Sequence, residues 1–427
     1  MPLDYATPAD PQPAYRRGLF AAAFALVASV FPLIWMGGLV TSHGVGLSVP
    51  DWPNSYGYNM FLFPPSRWLG GIFYEHTHRL LGTLSGFLAI WLMLMAWGPA
   101  RTAGGRRGWT IAAGSLWLIT VLSGVFTFLA VRQHWVSDTL ARLLPHLGVG
   151  FASLALVATV AAFCRSRESR RWVRWLTVGV LVAVCVQGTF GGLRVEKVSL
   201  TLAIIHGCFA QFFFCLAGFA ALVTSKWWLG TLGRVQDVAI GQRALLLAAV
   251  TTLVIFGQLI AGALMRHNGA GLAVPGVLVY GDWLPPTDAA GLEAINATRA
   301  WSQHLPPVTL TQIWLHLSHR IGAVVVTICV LLTSGYVLQK MGLARAAGRV
   351  SVILLGLLAT QATLGVLTVY LRKPADIASL HVAVGALTLL TAALSTAVLA
   401  RQYGRWPARA KAGRATNRLT PAGTVAV

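Results

Sequence analysis

The chain has 427 residues, of which 56% are hydrophobic and only 11% charged, with a mean hydropathy of +0.68. Soluble domains carry about 25% charged residues, so a water-soluble fold is excluded and an all-α integral membrane protein is expected. The net charge of +21 invites a nucleic-acid reading, which its distribution along the chain removes.

Ten apolar runs reach roughly the 20 residues that cross a hydrocarbon core. Each must be helical, because lipid offers the backbone no hydrogen-bond partner. Residues 1–15 hold Asp4 and Asp10 and few arginines, unlike a mitochondrial transit peptide. The first run, about 18–40, lacks a small-residue cleavage site and is expected to stay as a helix. His43 and the stretch Gly44-Val45-Gly46-Leu47-Ser48-Val49-Pro50 follow, then Asp51-Trp52-Pro53-Asn54-Ser55-Tyr56-Gly57. The rigid prolines and interfacial aromatics of this loop read as a cap over the first site, with an interfacial aromatic belt as the simpler account.

The second run, about 76–97, opens on Glu75-His76-Thr77-His78-Arg79. Runs three and four, about 109–131 and 143–164, flank a loop with Arg132 and His134; His146, at the start of the fourth, reads as structural. The fifth, about 173–194, carries Gln187-Gly188-Thr189-Phe190-Gly191, and the sixth, about 200–224, carries His206. Residues 226–242, with Lys226 and Arg234 and followed by Arg243, form a predicted cytoplasmic linker. The seventh run, about 243–265, leads to His267 and Gly269-Ala270-Gly271-Leu272-Ala273-Val274-Pro275. His304 lies in the next loop. The eighth, about 313–337, holds His316, His319 and Arg320; the ninth, about 350–371, holds Gln361-Ala362-Thr363-Leu364-Gly365; the tenth, about 379–400, holds His381. The basic tail 403–427 and the Pro/Ala-rich head read as disordered.

With the N-terminus in the cytoplasm, 22 of the 33 Lys and Arg fall in cytoplasmic segments and 9 in outer ones, while Arg79 and Arg320 lie beside helices. This is the positive-inside pattern, and it predicts both termini inside. All five cysteines fall within predicted helices, so no loop disulfide is expected.

The markers recur in order: Gly44–Pro50 as Gly269–Pro275, His78-Arg79 as His319-Arg320, Gln187–Gly191 as Gln361–Gly365, and His206 as His381. His319 to Gln361 spans 42 residues, whereas His78 to Gln187 spans 109. The excess accommodates two helices, so residues about 100–168 read as an inserted hairpin. The plan is two parallel-repeat four-helix bundles: an N-terminal half, 1–225, and a C-terminal half, 243–402, with about ten transmembrane helices.

Each half supplies one histidine from its second core helix and one from its fourth, near the outer ends. Ionisable groups at membrane depth mark functional sites, and paired imidazoles across a helix bundle suit a six-coordinate haem iron. Gly82, Gly207, Gly322 and Gly385 are expected to let a flat macrocycle approach the backbone. Arg79 and Arg320 are candidates for the haem propionates. Gln187 and Gln361 read as interhelical hydrogen-bond partners. Glu75 precedes His78 by three residues and shares its helix face; the equivalent in the second half is His316. A carboxylate there can exchange protons or stabilise positive charge on an oxidised carbon, which assigns chemistry to the first half and electron transfer to the second. On residues alone three functions stand: a haem-modifying oxidoreductase, a membrane cytochrome b of the quinol dehydrogenase type, and a haem-binding or transport protein.

Gly37-Gly38-Leu39-Val40-Thr41, Leu47 to Pro53, Glu75-x-x-His78-Arg79, Gln187 to Gly192 and His319-Arg320 resemble the haem A synthase family. The resemblance implies oxidation of the C8 methyl of haem O to a formyl group, giving haem A for terminal oxidases. It implies that His319 and His381, with Arg320, hold a permanent haem b. His78 and His206, with Arg79, would bind the substrate haem O, and Glu75 would be the catalytic carboxylate. It also implies a bacterial inner membrane location with both sites toward the periplasm, a haem O synthase as supplier and an electron acceptor of unspecified identity. A homo-oligomer is left open. Two departures stand out: bacterial members often carry a cysteine pair in the first outer loop, absent from residues 41–75 here, and the typical member has eight spans.

Overall fold

The computed structural model describes residues 13–98, 103–132, 137–163, 168–230 and 237–404. Cys164, His134, part of the predicted linker and the tail beyond 404 lie outside the described residues, as does the side chain of His146. The helices are α1 (Arg17–Ser42), α2 (Gly71–Trp97), α3 (Ala103–Arg132), α4 (Asp138–Phe163), α5 (Arg171–Glu196), α6 (Leu200–Thr224), the short α7 (Lys226–Leu229), α8 (Val238–His267), α9 (Ala289–Thr298), α10 (Leu310–Met341), α11 (Ala346–Tyr370) and α12 (Ala375–Tyr403).

Nine helices among the described residues are long and apolar enough to cross a membrane, so the chain is an all-α multi-pass membrane protein. The tenth predicted span falls on α4. It is helical over 26 residues, and among its described residues the apolar stretch is Leu147–Thr159. Helix α8 also begins earlier than predicted. The Asp237 carboxylate accepts the N–H groups of Ala239 and Ile240 and caps a helix that carries Arg243 inside its first two turns. Similarly, Thr309 and Gln312 form a reciprocal capping box that starts α10.

Helices α1, α2, α5 and α6 pack as one ring, each against the next, and α8, α10, α11 and α12 form a second. The rings meet along α1, α6, α8 and α12. Leu26, Val30, Leu92, Val180, Phe213 and Phe214 fill the first ring, and its core runs on into Ala386 and Leu390 of α12. Ile255, Val330, Leu354 and Leu389 fill the second. Half of the most apolar stretch of α12 is buried, against 6% for that of α3, which puts α12 at the centre and the α3–α4 hairpin at the edge. The hairpin touches the rest through α4 and α2. At its base the chain nearly closes on itself: the N–H of Glu168 donates to the carbonyl of Ala96 at 3.0 Å.

Both rings open at one end into a long loop, residues 43–70 and 268–309, and the two loops are built alike. In the first, Tyr56 and Gly57 have φ of +52° and +76° between the paired Ser55 and Tyr58; in the second, Tyr280 and Gly281 have +56° and +106° between Val279 and Asp282. Two consecutive residues at positive φ make the tight two-residue reversal for which glycine is favoured. The Tyr56 hydroxyl donates to the Ser48 carbonyl and the Tyr280 hydroxyl to that of Ala273, so each turn is folded back onto the repeated motif.

Candidate functional site

Four helices enter from the loop end with a histidine in their first two or three turns: His78 on α2, His206 on α6, His319 on α10 and His381 on α12. At 1.5 Å per residue these side chains sit at comparable depth. They meet in two pairs. The ring centroids of His78 and His206 are 6.3 Å apart, and those of His319 and His381 are 6.5 Å apart, both with rings near perpendicular. Two imidazoles bound to one metal through nitrogens at about 2.0 Å place their ring centres roughly 6 Å apart, so each pair has the separation that a single shared metal requires. Among the described residues no three His, Cys, Asp or Glu side chains converge on a point; the donor sets are imidazole pairs. The four described cysteines are free.

Each histidine lies against a glycine of the helix that precedes it. A Cβ on Gly37, Gly191 or Gly262 would stand 2.9 Å from Cε1 of His78, His206 or His319, and one on Gly365 would stand 3.1 Å from Cε1 of His381. Only glycine leaves the ring in place. Four residues before three of these glycines stands a glutamine. Gln187 donates to the carbonyl of His206 at 3.0 Å and Gln258 to that of His319 at 2.7 Å, while the Gln361 amide lies 3.4 Å from Nε2 of His381. The predicted bonding role of Gln187 and Gln361 is thus directed at the histidines themselves. In the first helix the corresponding residue is Leu33. His206 Nδ1 lies 3.1 Å from the Gln187 carbonyl, whereas Nδ1 of His78 and of His381 are buried without a partner.

Surroundings differ between the pairs. Gly82 and Gly207 have nothing within 4 Å of a built Cβ, whereas Gly322 is covered by Gln258 and Gly385 by Leu259 and Gln361.

Glu75 is 2% exposed. Its Oε1 pairs with Arg79 at 3.0 Å and its Oε2 accepts the Val49 N–H at 2.9 Å. Arg79 donates further to the carbonyls of Val49, Asp51 and Asn54 at 2.6 to 2.9 Å. In the other half His316 Nδ1 accepts the Val274 N–H at 3.1 Å, and Arg320 donates to the carbonyls of Val274 and Gly276, each at 2.6 Å. Both arginines therefore hold their own loop down by its main chain. The cap reading of residues 50–57 matches this geometry: the Trp52 ring packs on Gly192, next to the glycine that supports His206.

His76 is fully buried, bonded to Ser55 Oγ at 3.1 Å and packed between Phe63 and Trp68. His43 stacks on Tyr74. Both are structural. His304 is a loop residue at positive φ. Gln258 and Gly262 belong to no marker singled out in the sequence, although Gln-x-x-x-Gly occurs before His206, His319 and His381 alike. Nor do Arg194, which donates to the Gly46 carbonyl at 2.8 Å, and Arg266, which donates to the Gly38 carbonyl and to Ser42 Oγ at 2.5 and 2.7 Å.

The profile of a family described as cytochrome oxidase assembly protein (COX15-CtaA) matches residues 152–394, more than half of the chain. The matched region contains His206, Gln258, His319, Gln361 and His381 and begins after Glu75 and His78. No curated protein matches the chain at a significant level.

Proposed function

Because the chain belongs to this cytochrome oxidase assembly family, the haem A synthase family, with a role in supplying haem A to the oxidase, we propose that it oxidises the C8 methyl of haem O to a formyl group. The observation that carries the reading is the pair of imidazole pairs, at 6.3 and 6.5 Å. Together with the glycine cradles, they fit two bis-imidazole haems.

In this reading His319 and His381 hold a resident haem b, which supplies one-electron redox capacity when bound. Gln258 and Gln361 fix the rings and close the space over Gly322 and Gly385, as suits a group that stays. His78 and His206 bind the substrate haem O, with open space at Gly82 and Gly207. The methyl is oxidised stepwise through hydroxymethyl and hydrated aldehyde stages, each taking one oxygen atom from water and releasing two electrons to the acceptor and two protons, and the hydrate then loses water to leave the formyl group. Glu75 is the carboxylate that handles the proton or the developing positive charge, held in one orientation by Arg79 and the Val49 N–H. Residues 43–70 cover the site and limit water.

By the distribution of lysine and arginine, the histidine end faces the periplasm of a bacterial inner membrane. A haem O synthase supplies the substrate, and a separate acceptor removes the electrons. The test is expression with a haem O supply, followed by extraction and identification of the porphyrins. Formylated or hydroxymethylated porphyrin beside one equivalent of haem b is expected; two equivalents of unmodified haem b would assign the chain to the cytochromes instead.

A further inference from the structure

Arg266 ends α8 in the second ring but reaches into the first. It donates to the Gly38 carbonyl and to Ser42 Oγ of α1. Ser42 Oγ in turn lies 3.0 Å from Ser379 Oγ, and a Cβ on Gly38 would stand 3.0 Å from that of Ser379. Ser379 is fully buried on α12, two residues before His381. The next residue of α1 toward its start, Gly37, is the one against which His78 lies. A guanidinium therefore sits in the seam between the two rings, bonded to α1 beside the glycine that supports His78 and packed through Ser42 toward Ser379 of α12.

The repeat makes this cation asymmetric. With Gly44 aligned on Gly269, Arg266 corresponds to Thr41, which spends its hydroxyl on the Gly37 carbonyl. The charges that act on the first pair are those of Arg194 and Arg79, the latter paired with the Glu75 carboxylate. His267 also faces His206. Those that act on the second pair are Arg320 on His319 and Arg266 on His381; His316 replaces Glu75 and brings no anion. Two cations less one carboxylate surround the first pair, and two uncompensated cations the second. Porphyrin carboxylates are common to both sites and cancel in the comparison.

We propose that Arg266 is a positioning residue that makes the His319/His381 site the better electron acceptor of the two. This rests on the reading that both pairs bind haem. An added electron lowers the positive charge of a ferric site, and a fixed cation in a low-dielectric interior favours that reduced state. One electron leaves the iron of the first site and arrives at the iron of the second, with no bond or proton exchanged, so the difference in surrounding charge sets the direction.

The test is spectroelectrochemical titration of the haem-loaded protein, with the second site read alone in a His78→Ala background. Arg266→Gln is expected to reduce the ferrous to ferric ratio of that site, at fixed applied potential, by on the order of tenfold. Arg266→Lys, which keeps the charge but loses the fork, is expected to stay within about threefold of the parent. Arg194→Gln is expected to leave the second site unchanged. A full bis-imidazole spectrum with an unmoved ratio in Arg266→Gln overturns the inference alone, as does an equal shift in Arg266→Lys. Absence of any bis-imidazole spectrum in the parent protein overturns the haem reading and the inference with it.

Discussion

Glu75 and His316 do the same structural work in the two halves: each accepts the main-chain N–H of a valine, Val49 at 2.9 Å and Val274 at 3.1 Å. Both stand one helical turn before a paired histidine. The acceptor role is shared, and of the two only Glu75 is a carboxylate.

Glu75→His, which copies the second half, is therefore expected to keep the loop seated and haem bound at His78 and His206 while abolishing formylated product. Glu75→Ala removes the acceptor and leaves Arg79 and the Val49 N–H unmatched, at a cost of about 1–3 kcal/mol. Thermal unfolding in detergent and extracted porphyrin measure the two effects. Product at the normal rate from Glu75→His would remove the catalytic role.

Gly262→Ala is expected to displace the His319 ring and lose at least about half of the haem b, because a Cβ there stands 2.9 Å from Cε1, tighter than packed side chains accept without strain. Gly179 of α5 has nothing within 4 Å of a built Cβ. Its alanine variant is expected to retain all haem and to gain up to about 1 kcal/mol in helix stability. Soret absorbance per protein decides; equal loss in both variants would dissociate the glycine from its histidine.

Arg79→Ala is expected to free residues 43–70, since Arg79 bonds three carbonyls of that loop. Arg320→Ala should free residues 268–309 in the same manner. Limited proteolysis of oriented vesicles reads the result as new cleavage confined to the loop whose arginine was changed. Cleavage of both loops in either variant would show that they are not held independently.

Removal of residues 99–167, with a short glycine-serine link from Gly98 to Glu168, is expected to leave both histidine pairs intact. The 3.0 Å bond between Ala96 and Glu168 shows that the chain ends left by the deletion are already neighbours, and closing a short loop costs little. Haem content and product identity measure the outcome. Loss of haem from the His78 and His206 site alone would assign the hairpin a supporting role through α2.

Much of this arrangement is readable from residue order because it is repeated. His78, His206, His319 and His381 stood out by recurrence, and the structure brings them together in the pairs expected. Arg79 and Arg320 recur too, but Glu75 aside their partners are main-chain carbonyls, which have no sequence signature. The same holds for Arg194 and, Ser42 aside, for Arg266. Gln258 was legible in principle, as the third Gln-x-x-x-Gly, yet its interval from His319 differs because α9 and a long loop intervene. The Tyr-Gly reversals of the two loops escaped notice because Ser55-Tyr56-Gly57-Tyr58 and Val279-Tyr280-Gly281-Asp282 share only two letters.

The contact of each paired histidine with a glycine of the long helix before it has a consequence for how such a molecule is put together. The glycine and its histidine always lie on the two arms of one antiparallel hairpin: α1 with α2, α5 with α6, α8 with α10, and α11 with α12. A hairpin thus orients its imidazole by itself and presents one half of a binding site. Two hairpins placed face to face complete it.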